Sequence, residues 1–193
     1  MTDGVDLKKR RLLTATTSVV GAVGVGFALW PFIASMNPSA RARSAGAPVE
    51  ADISKLEPGG LMRVSWRGKP VWIVRRTDQN VADLESLNAK LADPNSDAPQ
   101  QPEYAKNIHR SLKPEFLVAV GICTHLGCSP TYRPEMAPAD LGAEWKGGFF
   151  CACHGSKFDL AGRVYAGVPA PTNLVIPPYQ FLGDTNILIG EDG

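Results

Sequence analysis

Two short loops, Cys123-Thr124-His125-Leu126-Gly127-Cys128 and Cys151-Ala152-Cys153-His154-Gly155-Ser156, hold all four cysteines and two of the three histidines of this chain. No other stretch carries comparable chemistry, so the fold has to be built around them. Each loop offers one Cys and one His at close spacing, as C-x-H in the first and C-x-x-H in the second, and each keeps one further Cys. That makes four ligands and a possible disulfide. Soft thiolates and imidazoles suit zinc, copper or iron-sulfur clusters, and the residue types alone leave the metal open.

Three readings compete. A structural zinc site is a common use of a Cys/His quartet, and spare cysteines can serve as small buried residues. Common zinc spacings group Cys with Cys and His with His, however, whereas each loop here mixes the two. A thiol-disulfide enzyme built on Cys151-Ala152-Cys153 leaves both histidines without a role. The third reading, an iron-sulfur cluster, comes from a family resemblance.

The pair CTHLGC and CxCHGS resembles the Rieske iron-sulfur proteins. The resemblance implies one 2Fe-2S cluster, with Cys123 and Cys151 on the inner iron, His125 and His154 on the outer one, and Cys128 and Cys153 joined as a disulfide. Two His in place of two Cys on one iron raise the potential of such a centre. Neutral imidazoles leave the cluster less negative, so it accepts an electron more readily. The resemblance also implies that Leu126 packs by the histidines and that the Ser156 hydroxyl donates a hydrogen bond to the cluster. High-potential members continue Cys-His-Gly-Ser-x-Tyr, but position 158 is Phe here. Gly167-Val168-Pro169-Ala170-Pro171 resembles the family's proline-rich loop over the cluster, with Val168 standing where many members run directly from Gly to Pro.

The rest of the chain places these loops in a compartment. The formal net charge of 193 residues is +1, which gives no polyelectrolyte signature and no expectation of nucleic acid as a partner. From Leu12 to Met36 there is no charged residue. At 1.5 Å per residue that run makes a helix of about 37 Å, enough to cross a bilayer core of roughly 30 Å with some tilt. Gly21, Gly24 and Gly26 thin the segment as small residues do where membrane helices pack, and Trp30 suits the far interface. Lys8, Lys9, Arg10 and Arg11 precede it, against Arg41 and Arg43 after it, so residues 1–11 are expected in the cytoplasm. Arg10-Arg11-Leu12-Leu13 also looks like a twin-arginine export signal, which suits a protein that acquires its cluster before crossing. Ala40-Arg41-Ala42 has the small residues of a cleavage site, but the apolar run exceeds what a signal peptide needs, so an uncleaved anchor over 12–36 is expected. Residues 37–48 are small, polar and aperiodic, as a linker is; the resemblance implies a hinge.

From residue 49 to 193 the pattern is short strands punctuated by Gly and Pro, the signature of an antiparallel β head. Leu61–Trp66 and Val71–Arg75 flank an expected hairpin turn at Arg67-Gly68-Lys69. Asn80 is expected to cap a helix with Val81, Leu84, Leu87 and Leu91 on its core face, ending before Pro94. Ala92–Tyr104 reads as an exposed loop, and His109 is assigned no function. Leu117–Ile122 and Gly148–Phe150 are strands delivering the two loops, and residues 129–150 form a peripheral excursion. Tyr179–Leu182 and Asn186–Ile189 close the head. The expected fold is therefore mainly β, an N-terminal transmembrane helix followed by a Rieske-type head with a cluster-binding subdomain over about 117–172.

Anchor and disulfide narrow the family. Rieske ferredoxins and the Rieske domains of ring-hydroxylating oxygenases usually lack both, while the membrane-anchored members of quinol-cytochrome c oxidoreductases have both. A disulfide also belongs in an oxidising compartment. The resemblance thus implies a bacterial inner-membrane redox subunit, single-pass, N-terminus cytoplasmic and head periplasmic. Its expected work is electron transfer from quinol to a c-type cytochrome. His154, beside His125, would meet quinol in a pocket provided largely by cytochrome b and take an electron into the cluster and a proton on its ring. Two alternatives stand beside this: the Rieske subunit of another periplasmic oxidoreductase such as arsenite oxidase, and a membrane-tethered binding module stabilised by zinc.

Overall fold

The structure, a computed structural model, describes residues 4, 6–40, 42 and 46–192. Parts of the expected N-terminal segment (1–3 and 5) and of the expected hinge (41 and 43–45) lie outside the described residues, as does Gly193. The chain divides into two compact units, residues 1–44 and 45–193.

The first unit contains the long helix α1 (Leu7–Ser35). It starts earlier than the charge-free run, so Lys8–Arg11 lie in its first turns instead of ahead of it. Asp6 makes this possible by capping the helix: its carboxylate accepts the amides of Lys8 and Lys9 at 3.0 and 3.2 Å. No side chain of α1 is buried within the protein. Thr14 and Thr16 donate their hydroxyls to the carbonyls of Arg10 and Leu12, which satisfies them inside the helix and suits apolar surroundings. The helix is long and apolar enough to cross a membrane.

The second unit is built from three antiparallel sheets of three strands each. One joins β1 (Val49–Asp52), β9 (Asn186–Ile189) and β8 (Tyr179–Leu182) in that order. The next joins β2 (Leu61–Trp66), β3 (Lys69–Arg75) and β4 (Phe116–Val120), with β2 and β3 forming the expected hairpin. The third joins β5 (Thr131–Met136), β6 (Lys146–Cys151) and β7 (Ser156–Asp159). Every residue of β4 is buried, as are Val71 to Val74 of β3. One apolar core runs from these strands through Phe149 and Phe158 to Cys123 and Cys151. The excursion between the two loops is thus partly structural, since β5 pairs with β6.

The connection between β3 and β4 carries α2 (Asp78–Ser86). Its cap is Thr77 and not Asn80, which sits inside the first turn; the Thr77 hydroxyl accepts the Asn80 amide while the Asn80 side chain accepts the Thr77 amide. This is a capping box with Asn in the place of the usual Glu or Gln. Residues 92–104 are also not the free loop their prolines suggest. Gln100 accepts the Ile176 amide at 2.8 Å, and Asp93 accepts from Asn173.

Three buried arginines fasten this connection to the turn after β7. Arg76 donates to the carbonyls of His109, Leu160 and Phe116. Arg110 donates to those of Ala161, Gly162 and Leu174. Arg163 pairs with Asp159 at 2.8 Å, both side chains fully buried, and reaches the Leu84 carbonyl of α2. Burial pulls Arg76 and Arg110 down to about 10, with Asp159 opposing it, so both stay charged at neutral pH. Buried charge is tolerated here because carbonyls surround each guanidinium.

Candidate metal centre

Strand β4 runs through Gly121 and Ile122 into the first loop, and β6 runs directly into the second. The loops share one local design. In each, the carbonyl of the leading cysteine accepts the amide of a glycine four residues on, Cys123 from Gly127 at 3.0 Å and Cys151 from Gly155 at 2.9 Å. Both glycines have positive φ, 84° and 79°, a conformation that costs a residue with a Cβ. The histidine falls within each turn.

Burial divides the four residues. Cys123 and Cys151 are 2% and 1% exposed, whereas His125 is half-buried and His154 exposed. Their imidazole rings meet edge to face with centroids 4.7 Å apart. His125 Nδ1 is buried and has no hydrogen-bond partner. Cys123 lies close enough to hydrogen-bond the Cys151 thiol; burial first, and that neighbour second, push the Cys151 thiol above its ordinary value. Two buried thiols, two imidazole rings in contact and a buried ring nitrogen left unpaired fit a group that is itself both thiophilic and imidazole-binding.

Cys128 and Cys153 form a disulfide, the pairing that the resemblance implies. It ties the end of the first loop to the middle of the second. The sulfur of Cys151 lies within 4.8 Å of both disulfide sulfurs, but a sulfur committed to a disulfide is no thiolate ligand, so these three cysteines do not make a zinc site.

Segment 167–172 is bonded to both loops. Thr124, between Cys123 and His125, donates its hydroxyl to the Thr172 carbonyl at 2.7 Å. Ser156, fully buried, accepts the Ala170 amide at 3.0 Å. That acceptance leaves the Ser156 hydroxyl proton free to donate elsewhere. Leu126 is 72% exposed beside the histidines, and Val168 packs against the core cluster that includes the two cysteines. Thr124 went unnoticed in the sequence reading, though its place between two ligand types was the available signal.

Known proteins share this architecture. Residues 48–180 match the Rieske [2Fe-2S] domain. The chain belongs to the Rieske iron-sulfur family. Residues 1–39 of this Rieske chain match a second family, described as the ubiquitinol-cytochrome C reductase Fe-S subunit TAT signal. It is 70% identical to the ubiquinol-cytochrome c reductase iron-sulfur subunit of Allochromatium vinosum, over 98% of this chain and 91% of that one. The subunit of the same name from Bradyrhizobium diazoefficiens is 44% identical over 94% of each chain. Among solved structures, a chain of a hyperthermophilic respiratory Complex III is similar over 90% of the Rieske chain and 98% of its own, with 28% identity and a TM-score of 0.50. Membership of the family implies one Rieske 2Fe-2S cluster.

Proposed function

We propose that this chain is the iron-sulfur subunit of a bacterial quinol-cytochrome c oxidoreductase and carries electrons from quinol to a c-type cytochrome. The observation that carries the reading is the 70% identity to such a subunit along 98% of the chain, anchor helix and export segment included. Cys123 and Cys151 would hold one iron, and His125 and His154 the other; the burial of the thiols and the greater exposure of the imidazoles support that division. Bound there, the cluster supplies a one-electron redox centre.

The chain's own residues then have separate tasks. His154, the more exposed ring, meets quinol and receives the proton released as quinol gives up its electron. Leu126 covers the ring edges and limits water. Ser156, which accepts the Ala170 amide, would give its remaining proton to a cluster sulfur. The Cys128–Cys153 bond keeps the two loops together through each change of charge. Residues 12–36 anchor the chain in the inner membrane, the basic residues Lys8–Arg11 hold the N-terminus in the cytoplasm, and the disulfide-bearing head, residues 49–193, works in the periplasm. Residues 37–48 serve as the hinge between them, and cytochrome b and a c-type cytochrome are the partners.

Purification from membranes tests this. Co-purification with b-type haem and quinol-dependent reduction of a c-type cytochrome are expected. A soluble periplasmic partner without b-type haem would instead place the chain with another Rieske oxidoreductase.

A further inference from the structure

Trp72, in the middle of β3, touches the run-up to both ligand loops. Its ring stacks on Phe149 with centroids 4.8 Å apart and planes 18° from parallel, and Phe149 stands two residues before Cys151. The indole also lies against Gly121, which stands two residues before Cys123. A Cβ on Gly121 would come within 2.2 Å of Trp72 Cε2 and 2.5 Å of Nε1, so that glycine is required by the ring and not by its own backbone. The register explains the contact: Trp72 pairs with Ala119 of β4, and Gly121 is the next residue on the same face of that strand, within diagonal reach of a large aromatic.

The ring is 1% exposed, and its Nε1–H has no hydrogen-bond partner. A phenyl group would avoid that unpaired donor. What the position uses is therefore the width of the bicyclic ring, which meets both a strand leading to one buried cysteine and a strand leading to the other.

We infer that Trp72 is a positioning residue that sets the separation of Cys123 and Cys151, and through it the electronic properties of the cluster they hold. Interiors are close-packed, so a change of ring size moves the strands or leaves a void instead of being absorbed. The disulfide fixes the loops at their outer ends; Trp72 fixes them at their inner ends. The inference rests on the ligand assignment proposed above, and the experiment separates the two.

The test uses the full-length chain with its cluster in place, in four variants: Trp72→Leu, Gly121→Ala, the two combined, and Ile187→Ala as a core lesion in β9. Iron content, thermal midpoint, paramagnetic resonance line shape and redox midpoint are read for each. Trp72→Leu and Gly121→Ala are expected to shift both line shape and redox midpoint, and the double variant to lie closer to the wild type than Gly121→Ala alone, since the smaller side chain makes room for the new Cβ. Ile187→Ala is expected to lower thermal stability and leave the spectrum unchanged. A Trp72→Leu protein with full cluster and an unshifted spectrum would overturn the inference, as would a Gly121→Ala shift that Trp72→Leu fails to reduce. If Trp72→Leu does not accumulate, Trp72→Phe carries the same test, because it keeps a ring on Phe149 and withdraws from Gly121. Absence of iron-sulfur from the wild type would instead defeat the ligand assignment.

Discussion

The Ser156 hydroxyl accepts the Ala170 amide at 3.0 Å and so bonds the second ligand loop to the proline-rich segment 167–171. One hydroxyl thereby does two things, since accepting the amide orients the proton it still has to give. Ser156→Ala leaves a buried amide unpaired, at a cost of about 1–3 kcal/mol, and removes the donor proposed for the cluster sulfurs. Hydrogen bonds to the sulfurs favour the reduced, more negative state, so the redox midpoint is expected to fall. Redox titration checks it; an unchanged midpoint with full iron would show that the hydroxyl donates elsewhere.

Phe158 lies two residues along β7 from Ser156, on the same face of the strand, fully buried and opposite Phe149. Phe158→Tyr is expected to raise the midpoint by restoring the donor that Tyr-bearing relatives have, with a packing cost of about 1–3 kcal/mol. Titration alongside the wild type at one pH decides the point. No upward shift in a protein with intact cluster would mean that a hydroxyl at this position cannot reach a sulfur.

Much of this arrangement is readable from the residues. Leu61–Trp66 and Tyr179–Leu182 stand out as strands because β-branched and aromatic residues are bounded by Gly and Pro, and both appear as expected. The two loops announce their chemistry through spacing, while the pairing of Cys128 with Cys153 came only with the family resemblance. Ser156–Asp159 is hidden because its four residues carry one apolar side chain, and the strand exists through pairing with β6. Thr77 was overlooked as a cap because Asn80 is also a good capping residue and takes the other half of the same box. Arg76, Arg110 and Arg163 were illegible for a deeper reason: arginine is ordinarily exposed, and only the folded chain brings the carbonyls that let three of them be buried.

The disulfide joins positions separated by 25 residues, and closing a loop of that order stabilises by about 3 kcal/mol, mainly by restricting the unfolded chain in the entropic account. Replacing Cys128 and Cys153 together by Ser removes no proposed ligand. The variant is expected to lose iron faster to a chelator and to melt earlier. Equal rates of iron loss in the two proteins would show that the bond does not brace the loops.

His109 introduces a pH dependence away from the centre. Burial, aided by the charges of Arg76 and Arg163, holds its imidazole below the ordinary value, so the folded state resists protonation. The unfolded chain binds that proton from about pH 6.5 downward. The stability present above pH 6.5 is therefore lost as pH falls towards the folded value, and the slope ends there. His109→Gln is expected to flatten this decline, measured as the difference in urea midpoint between pH 7.5 and 5.5 for the two proteins. An identical decline would assign the acid sensitivity to other groups.

Cys123, His125, Cys151 and His154 are proposed to hold a 2Fe-2S cluster, and paramagnetic resonance of the reduced full-length protein tests this most directly. One-electron reduction is expected to produce an anisotropic signal in a chain containing two irons and two acid-labile sulfides. The signal and the metal should both vanish in Cys151→Ala and in His154→Ala. A silent reduced protein carrying zinc, or a full iron-sulfur complement retained in either variant, would contradict it.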